Sequence, residues 1–269
     1  MNLRNEWVLL AALVVPLLLV NFLPPDTSLK QVRQEGVLAV CVPQDYPPLS
    51  TPDAAQPGID VELVRAIAEQ MGLRLKLNPN AAMGRDINPR NWRVTRSQCQ
   101  VLAGGVVDSE VTRGFLERSP AYLQTGWALI LPQPLTTLRG KQVGFYGGIS
   151  GLDRIALGRF LRAQGAEAVS VEREQDLEQG LEQGRFAAGV GESLSLRAMA
   201  GGRGWKVEWL PEELGRYPLV LGLWKGDLTL KRALVEAMQQ TLRAGRLEQI
   251  LGHYRLAEIA PECTVCSRP

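Results

Sequence analysis

Short apolar runs alternate with longer amphipathic stretches along most of the chain. Residues 37–42 are almost entirely apolar and predict a buried strand, which nearby prolines end. Between 60 and 71, apolar residues recur at three- and four-residue spacing and predict an amphipathic helix, which ends at Gly72. Further strands are predicted at 73–77 and 101–103. This β–α–β alternation indicates a mostly parallel sheet with helices on its faces.

The same alternation starts again near residue 127. Strands are predicted at 127–131, 143–145, 168–171 and 187–190, and helices separate the last three of them. Two amphipathic helices complete the pattern, the first ending at Gly245 and the second near Tyr254. Two such blocks predict an α/β protein with two lobes.

The amino terminus carries an apolar run of 17 residues at 7–23, with Arg4 before it. A positive charge followed by an apolar stretch is typical of an export signal, and the length also suits a membrane-spanning helix. Because no small-x-small cleavage site follows the run, we favour an uncleaved anchor over a cleaved signal for segment 1–26. Both interpretations place the rest of the chain in the periplasm or the extracellular space.

Charge and composition argue against several functions. The 269 residues carry 30 Lys+Arg and 28 Asp+Glu, and the resulting net charge of +2 gives no basis for nucleic-acid binding. One histidine and four cysteines do not supply the ligands of a catalytic zinc centre, so we expect neither metal nor cofactor. A Ser–His–Asp triad would need His253, which is predicted as a solvated residue near a helix end.

The four cysteines are Cys41, Cys99, Cys263 and Cys266, and they allow three pairings. In an exported protein, disulfides are expected in preference to free thiols. Cys263 and Cys266 would close a small loop in the tail, and Cys41 would then pair with Cys99. The alternative role of the Cys-x-x-Cys segment is redox chemistry, which needs a helix N-terminus to lower the thiol pKa.

Several segments, in a fixed order, resemble those of one family. They read VLAVCVPQDYPPL at 37–49, GIDVEL at 58–63, LRGKQVG at 138–144, GISG at 148–151, LEQGRFAAGVGE at 181–192 and LRAGRLEQI at 242–250. In these segments the chain is similar to the exported solute-binding proteins of amino-acid ABC importers, whose motifs include "DYPPF", "GFDVDL" and "LKGKKVGV". The matches run in order from about residue 29 to 256.

The resemblance implies a two-lobed, periplasmic-binding-protein-like fold of type II, with two strands crossing between the α/β lobes. Lobe 1 would combine 27–128 with 223–256, lobe 2 would span 129–222, and 257–269 would form a tail. An amino acid or a related small anion would bind between the lobes, which close by a hinge motion. The implied partner is a membrane permease, and the chain itself would be a monomer.

The resemblance also implies the residues that hold the carboxylate of the ligand, for which the planar donor fork of arginine is suited. The family's arginine column falls on Thr112, so Arg113 binds the ligand if the loop shifts by one residue and is otherwise a surface charge. Gly105 precedes it as a further candidate. Ser150 would contact the carboxylate and also cap the following helix, with Asp153 three residues later.

The ammonium of a bound amino acid needs a fixed negative partner, because burying an unpaired charge is very costly. Glu192 occupies the family's ammonium-binding position directly after a strand, and its alternative role is an exposed helix cap. Tyr46 would stack on the ligand or cover it, or else pack on the neighbouring prolines. Asp45, beside it, is a weaker candidate.

Segment 81–98 departs most from the family's pattern. It lacks the apolar spacing of a helix and includes three arginines within 83–93. A lid, a partner surface and a solvated loop are the three interpretations. Trp92 would reach the edge of the cleft or anchor the loop.

Three functions follow from this resemblance. The preferred one is a non-enzymatic solute-binding protein that delivers its ligand to an ABC importer. The second is an enzyme on the same fold, related to cyclohexadienyl dehydratases, with Glu192 as general acid or base. The third is an accessory or sensory subunit that binds a protein partner, which the uncleaved anchor and the shifted arginine column favour slightly.

Overall fold

The computed structural model describes residues 25–83, 88–147, 152–257 and 259. The apolar run at 7–23, Ser150, Cys263 and Cys266 lie outside these ranges, and the predictions made for them stay predictions. Within the described ranges, the helices are too short or too polar to cross a bilayer.

Residues from both halves of the chain form the first sheet, whose strand order is β2-β1-β3-β11-β4. Its strands are β1 (Val37–Pro43), β2 (Arg74–Asn80), β3 (Val101–Leu102), β4 (Leu116–Arg118) and β11 (Gly222–Trp224). β1 pairs in parallel with β2 and β3, whereas β11 runs antiparallel to β3 and β4. β1 is buried along nearly its whole length because it lies inside the sheet under helices, as its continuous apolar run predicts.

The helices of this lobe pack their apolar faces into one core. They are α1 (Ser28–Glu35), α2 (Ile59–Gln70), α3 (Glu110–Phe115), α7 (Leu228–Arg243) and α8 (Arg246–His253). Leu63 and Ile67 of α2 are fully buried and share an apolar cluster with Leu234 and Met238 of α7. The three- and four-residue spacing read from the sequence therefore corresponds to the core-facing side of these helices.

The second lobe contains a sheet of strand order β10-β5-β8-β6-β7, with β9 paired to β5. Its strands are β5 (Leu123–Leu131), β6 (Gln142–Tyr146), β7 (Glu167–Val171), β8 (Ala188–Glu192), β9 (Lys206–Trp209) and β10 (Arg216–Leu219). The helices are α4 (Arg154–Ala163), α5 (Glu174–Glu182) and α6 (Ser193–Ala200). β6 is parallel to β7 and β8, and β5 is antiparallel to its neighbours.

The chain crosses from the first lobe to the second before β5 and returns to the first lobe after β10. β5 lies in the second sheet over its whole length, since it pairs first with β10 and then with β8 and β9. The return passage follows Leu219, and β11 enters the first sheet at Gly222. The predicted lobe boundaries at 128/129 and 222/223 therefore fall inside β5 and β11, and the division of the chain at these residues remains a proposal.

A disulfide joins Cys41 of β1 to Cys99, 58 residues later. This pairing is one of those that the sequence allowed. Trp92 is the last residue of a short 3₁₀ turn, Pro89–Trp92, and is buried in the same apolar cluster as both cysteines. Trp92 thus anchors segment 81–98 to the body of the first lobe, which was one of its two predicted roles.

The predicted α/β class, with flanking helices on two sheets, is confirmed. The strand predicted at 101–103 is β3, Val101–Leu102. Strands β4, β9, β10 and β11 are absent from the sequence prediction because three or four residues are too few to show a period.

Candidate functional site

A solvent-open cleft of about 570 Å³ lies between the two lobes. Gln44, Asp45 and Ala81 line it from the first lobe, and Tyr146, Arg154 and Glu172 from the second. The charged residues among them are exposed at the surface of the cleft. A small polar solute can therefore contact both lobes at once here.

The ends of parallel strands create this cleft. β1 ends at Pro43, directly before Gln44 and Asp45; β6 ends at Tyr146; and β7 ends at Val171, directly before Glu172. Ligands of open α/β sheets bind beyond the carboxyl ends of the strands, where loops leave a crevice. The position of the cleft follows this rule in both lobes.

Arg154 supplies positive charge from the second lobe. It is the first residue of α4, and its guanidinium lies against Gly147, where a Cβ atom would be only 3.3 Å from Cζ of Arg154. Glycine at 147 thus leaves the space in which the guanidinium lies. Asp153 caps α4 by accepting hydrogen bonds from the amides of Ile155 and Ala156, both at 2.9 Å. The helix that the structure describes is thus capped by Asp153, and the role predicted for Ser150, which lies outside the described residues, stays a prediction.

Acidic residues lie close to Tyr146, at the side of the cleft. Burial and the nearby carboxylates of Glu174 and Asp45 raise the pKa of Tyr146 to about 12. Burial, followed by the charges of Glu178, Glu192 and Asp45, raises the pKa of Glu174 to about 8. Among the described residues, Oε2 of Glu174 is buried and has no hydrogen-bond partner. Several acidic side chains therefore lie close together beside Tyr146.

Glu192 is fully buried at the boundary between the lobes and does not line the cleft. It is the N-cap of α6, and its carboxylate accepts hydrogen bonds from the amides of Leu194 at 3.0 Å and Ser195 at 2.9 Å. The remaining donors are the hydroxyls of Tyr46, Thr125 and Ser193. Because these groups surround both oxygens, the structure supports the helix-cap role of Glu192, in buried rather than exposed form.

Tyr46 is only 3% exposed and packs in the apolar core of the first lobe. Its hydroxyl donates to Oε2 of Glu192 at 3.4 Å, across the boundary between the lobes. Burial, together with the charge of Glu192, raises the pKa of Tyr46 well above its ordinary value, so the phenol stays protonated. Tyr46 thus contacts the opposite lobe, and its stacking on a ligand stays a prediction.

Arg113 points to a carboxylate of its own lobe. Its Nε lies 2.7 Å from Oδ1 of Asp108, whose other oxygen pairs with Arg118. The side chain of Arg113 is 52% exposed, as expected of a surface charge. Thr112, the residue in the family's arginine column, is buried and follows Ser109, which caps α3. This segment therefore offers no guanidinium to the cleft in the described residues.

The amides of Gly104 and Gly105 are directed at a buried carboxylate rather than at the cleft. They donate to Oδ2 of Asp60 at 2.6 and 2.9 Å, and the hydroxyl of Tyr122 donates to the same oxygen at 2.6 Å. Gly104 has φ +90°, and a Cβ there would lie 2.1 Å from Cδ of Pro43. Glycine is therefore required at 104. The amide of Gly105, which was a candidate for ligand binding, donates to Asp60 instead.

Of the six predicted ligand-binding residues, Asp45 lines the cleft. Tyr46, Gly105, Arg113 and Glu192 have partners elsewhere, and Ser150 lies outside the described residues. Sequence reasoning missed Arg154 and Glu172. Glu172 directly follows a strand and Arg154 directly begins a helix, and these positions were the available signal.

Within the described ranges, no group of three or more His, Cys, Asp or Glu side chains is arranged to hold a metal ion. His253 ends α8 and is 69% exposed, with Nδ1 3.5 Å from Oε2 of Glu62. This position agrees with the predicted solvated histidine at a helix end.

Comparisons with known proteins agree with this architecture. The model of the bacterial extracellular solute-binding proteins, family 3, matches residues 38–257. An ancestral cationic amino acid solute-binding protein, AncCDT-1, superposes with a TM-score of 0.69 at 17% identity, over 84% of this chain and 99% of that chain. A search of curated proteins found no match.

Two further solved structures are similar to this chain. The amino acid ABC transporter substrate-binding protein AbpA of Streptococcus pneumoniae, bound to L-arginine, has a TM-score of 0.62 at 20% identity, over 86% of this chain and 99% of that chain. An ABC uptake transporter substrate-binding protein of the same organism, with bound histidine, has a TM-score of 0.65 at 17% identity, over 87% and 98% of the two chains. At such identities the likeness establishes the fold alone.

Proposed function

The chain belongs to the bacterial extracellular solute-binding proteins of family 3, and on this premise we propose that it captures an amino acid or a similar small zwitterion for an ABC importer. The mechanism is reversible capture between the lobes and delivery to a membrane permease. The protein breaks no bond. It acts as a monomer outside the cytoplasm, and segment 7–23 tethers it to the membrane.

The observation that carries this proposal is that residues of opposite charge line the interlobe cleft from its two sides. Asp45 of the first lobe and Arg154 of the second line the same space, with Glu172 beside them. A zwitterion leaving water needs a fixed partner for each of its charges. The guanidinium of Arg154 suits a carboxylate because it can donate two parallel hydrogen bonds, and Asp45 suits an ammonium.

Two of the solved structures that are similar to this chain support the same ligand class. AbpA is described with L-arginine, and the second Streptococcus pneumoniae protein with histidine. Both ligands carry an α-carboxylate and an α-ammonium, which the charges of this cleft match. The positions of these charges differ from those that the family resemblance implies, so the ligand lies toward Tyr146 rather than toward Glu192.

A thermal-shift screen of the full-length protein with the individual amino acids tests the proposal. Binding at a hundred times the dissociation constant stabilises a protein by about 2.7 kcal/mol, which raises the melting temperature by several degrees. The proposal expects such a rise with at least one zwitterionic solute. If no amino acid raises the melting temperature even at millimolar concentration, the proposal is wrong.

A second candidate function is that of an accessory or sensory subunit that binds a protein partner. It is favoured by the commitment of Glu192 and Arg113 to partners within the chain, which leaves neither free for a ligand in this structure. Co-purification of one membrane protein, together with no response to small solutes, would support it. A permease that co-purifies while an amino acid also binds supports the importer function instead.

A dehydratase-like reaction on this fold has less support. AncCDT-1 is described as a precursor of cyclohexadienyl dehydratase, but a general acid or base must reach the reacting proton. Glu192, the candidate for that role, is fully buried and surrounded by its own donors. We therefore assign no catalytic residue.

A further inference from the structure

We propose that a latch built from Tyr46, Pro47, Glu192, Leu194 and Ser195 holds the two lobes together without ligand. The cleft is then formed before a solute arrives. The latch is independent of what the cleft binds. Its consequence for ligand capture, binding to a cleft already formed, rests on the proposed function.

Two hydrogen bonds of the latch cross the boundary between the lobes. The hydroxyl of Tyr46, from the loop after β1, donates to Oε2 of Glu192 at 3.4 Å. The hydroxyl of Ser195, in the first turn of α6, donates to the carbonyl oxygen of Pro47 at 3.0 Å. Tyr46 and Ser195 are both buried, so water does not compete for these groups in the closed arrangement.

An apolar contact reinforces the two hydrogen bonds. Leu194 belongs to α6 of the second lobe but packs in the same apolar cluster as Tyr46 and Leu49 of the first. Leu194 is 1% exposed and Leu49 is fully buried. The two lobes therefore share a continuous core at this point, and separating them would expose these side chains to water.

The acceptor of the latch is held rigidly. Glu192 ends β8, and its carboxylate caps α6 through the amides of Leu194 and Ser195. Thr125 of β5, which lies next to the passage between the lobes, also donates to it. Because these contacts fix the carboxylate, Tyr46 meets an acceptor that is already oriented and loses little entropy in binding it.

Ligand entry does not require the latch to open. The groups that line the cleft, including Gln44, Asp45, Arg154 and Glu172, are exposed in the latched arrangement. A solute can thus reach them from solvent while Tyr46 remains on Glu192. The mechanism differs from capture by hinge closure, in which the ligand provides the contacts that hold the lobes together.

Distance measurement between the lobes of the full-length, ligand-free protein tests the latch. Spin labels on noncanonical residues at the exposed positions 69 and 162 leave the native cysteines untouched, and pulsed electron resonance gives the distance distribution. The latch predicts one narrow distribution that L-arginine and L-histidine, used as probes, do not shorten. A longer distance in the ligand-free protein that shortens on addition of either probe would overturn the proposal.

The double variant Tyr46→Phe, Ser195→Ala removes both crossing hydrogen bonds and keeps the apolar packing. We expect it to lose the narrow peak and to gain a population at longer distance, with an unchanged circular dichroism spectrum. Ser193→Ala is the matched control, because the hydroxyl of Ser193 contacts Glu192 within one lobe. It should keep the narrow peak. A double variant that keeps the wild-type distribution contradicts the latch.

These outcomes are separable from those that test ligand binding. The distance distribution of the ligand-free wild type tests the latch even if the double variant fails to fold. A thermal-shift screen without any hit contradicts the proposed function and leaves a narrow ligand-free distribution in support of the latch.

Discussion

Asp45 and Arg154 line one cleft from opposite lobes, at the end of β1 and the start of α4. Segments more than a hundred residues apart in sequence thus place a carboxylate and a guanidinium around a single space of about 570 Å³. Both residues are exposed to solvent, so an incoming solute can reach them. Their opposite charges are the chemical basis of the proposed zwitterion site.

Removing either charge should weaken binding of the amino acid identified by thermal shift. Charge-assisted hydrogen bonds contribute about 1.5–3 kcal/mol, so Arg154→Gln should raise the dissociation constant about tenfold or more. Asp45→Asn should act in the same direction. Isothermal titration calorimetry measures both. Arg159→Gln is the matched control, since Arg159 is exposed on the same helix but does not line the cleft; equal losses in all three variants would contradict the assignment.

Glu174 should make stability depend on pH. Its pKa is raised from 4.5 to about 8, chiefly by burial, so the folded state binds its proton more tightly than the unfolded state. The associated stability is fully present below pH 4.5 and is lost as pH rises through about 8, by at most about 1.4 kcal/mol per pH unit.

Glu174→Gln mimics the protonated carboxyl and isolates this effect. Relative to the wild type, the variant should gain stability between pH 5 and pH 8, as measured by urea denaturation at each pH. Parallel pH profiles of the two proteins would show that Glu174 titrates normally in the folded state.

The disulfide should contribute strongly to the stability of the first lobe. Closing a loop between Cys41 and Cys99 removes unfolded-state entropy worth about 4 kcal/mol in the chain-entropy model. The double variant Cys41→Ala, Cys99→Ala should therefore unfold at a clearly lower urea concentration. A midpoint within error of the wild type would contradict the pairing. Treatment of the variant with reductant, which should change nothing further in this lobe, is the control.

Asp60 should be among the most sensitive positions of the core. It is fully buried, and its Oδ2 holds the amides of Gly104 and Gly105 and the hydroxyl of Tyr122. Asp60→Ala leaves these donors without an acceptor and should cost about 3 kcal/mol or more of unfolding free energy. Tyr122→Phe removes one donor and should cost less. Chemical denaturation ranks the two, and the reverse order would contradict the role of Asp60 as the shared acceptor.

Much of the fold follows from local patterns in the sequence. The continuous apolar run of β1 and the helical spacing in α2 require burial in a particular geometry, and the structure provides it. The pairing of Cys41 with Cys99 was among the possibilities because four cysteines allow only three pairings. Short strands such as β4 carry no period and appear only when their neighbours in the sheet are known.

The site was harder to predict because tertiary contacts decide which polar side chains line the cleft. Glu192 follows a strand, as a ligand-binding carboxylate would, yet the same position lets it cap α6. Arg113 has Asp108 five residues before it, and that neighbour binds its guanidinium. Arg154 and Glu172 differ from these two in lining the cleft, and this difference arises from tertiary packing alone.

The most direct test of the central claim is a crystal structure of the protein soaked with the amino acid that gives the largest thermal shift. The account predicts ligand density in the interlobe cleft, with the carboxylate within hydrogen-bond distance of Arg154 and the ammonium beside Asp45. Density between Arg113 and Glu192, with Tyr46 displaced from the Glu192 carboxylate, would contradict it.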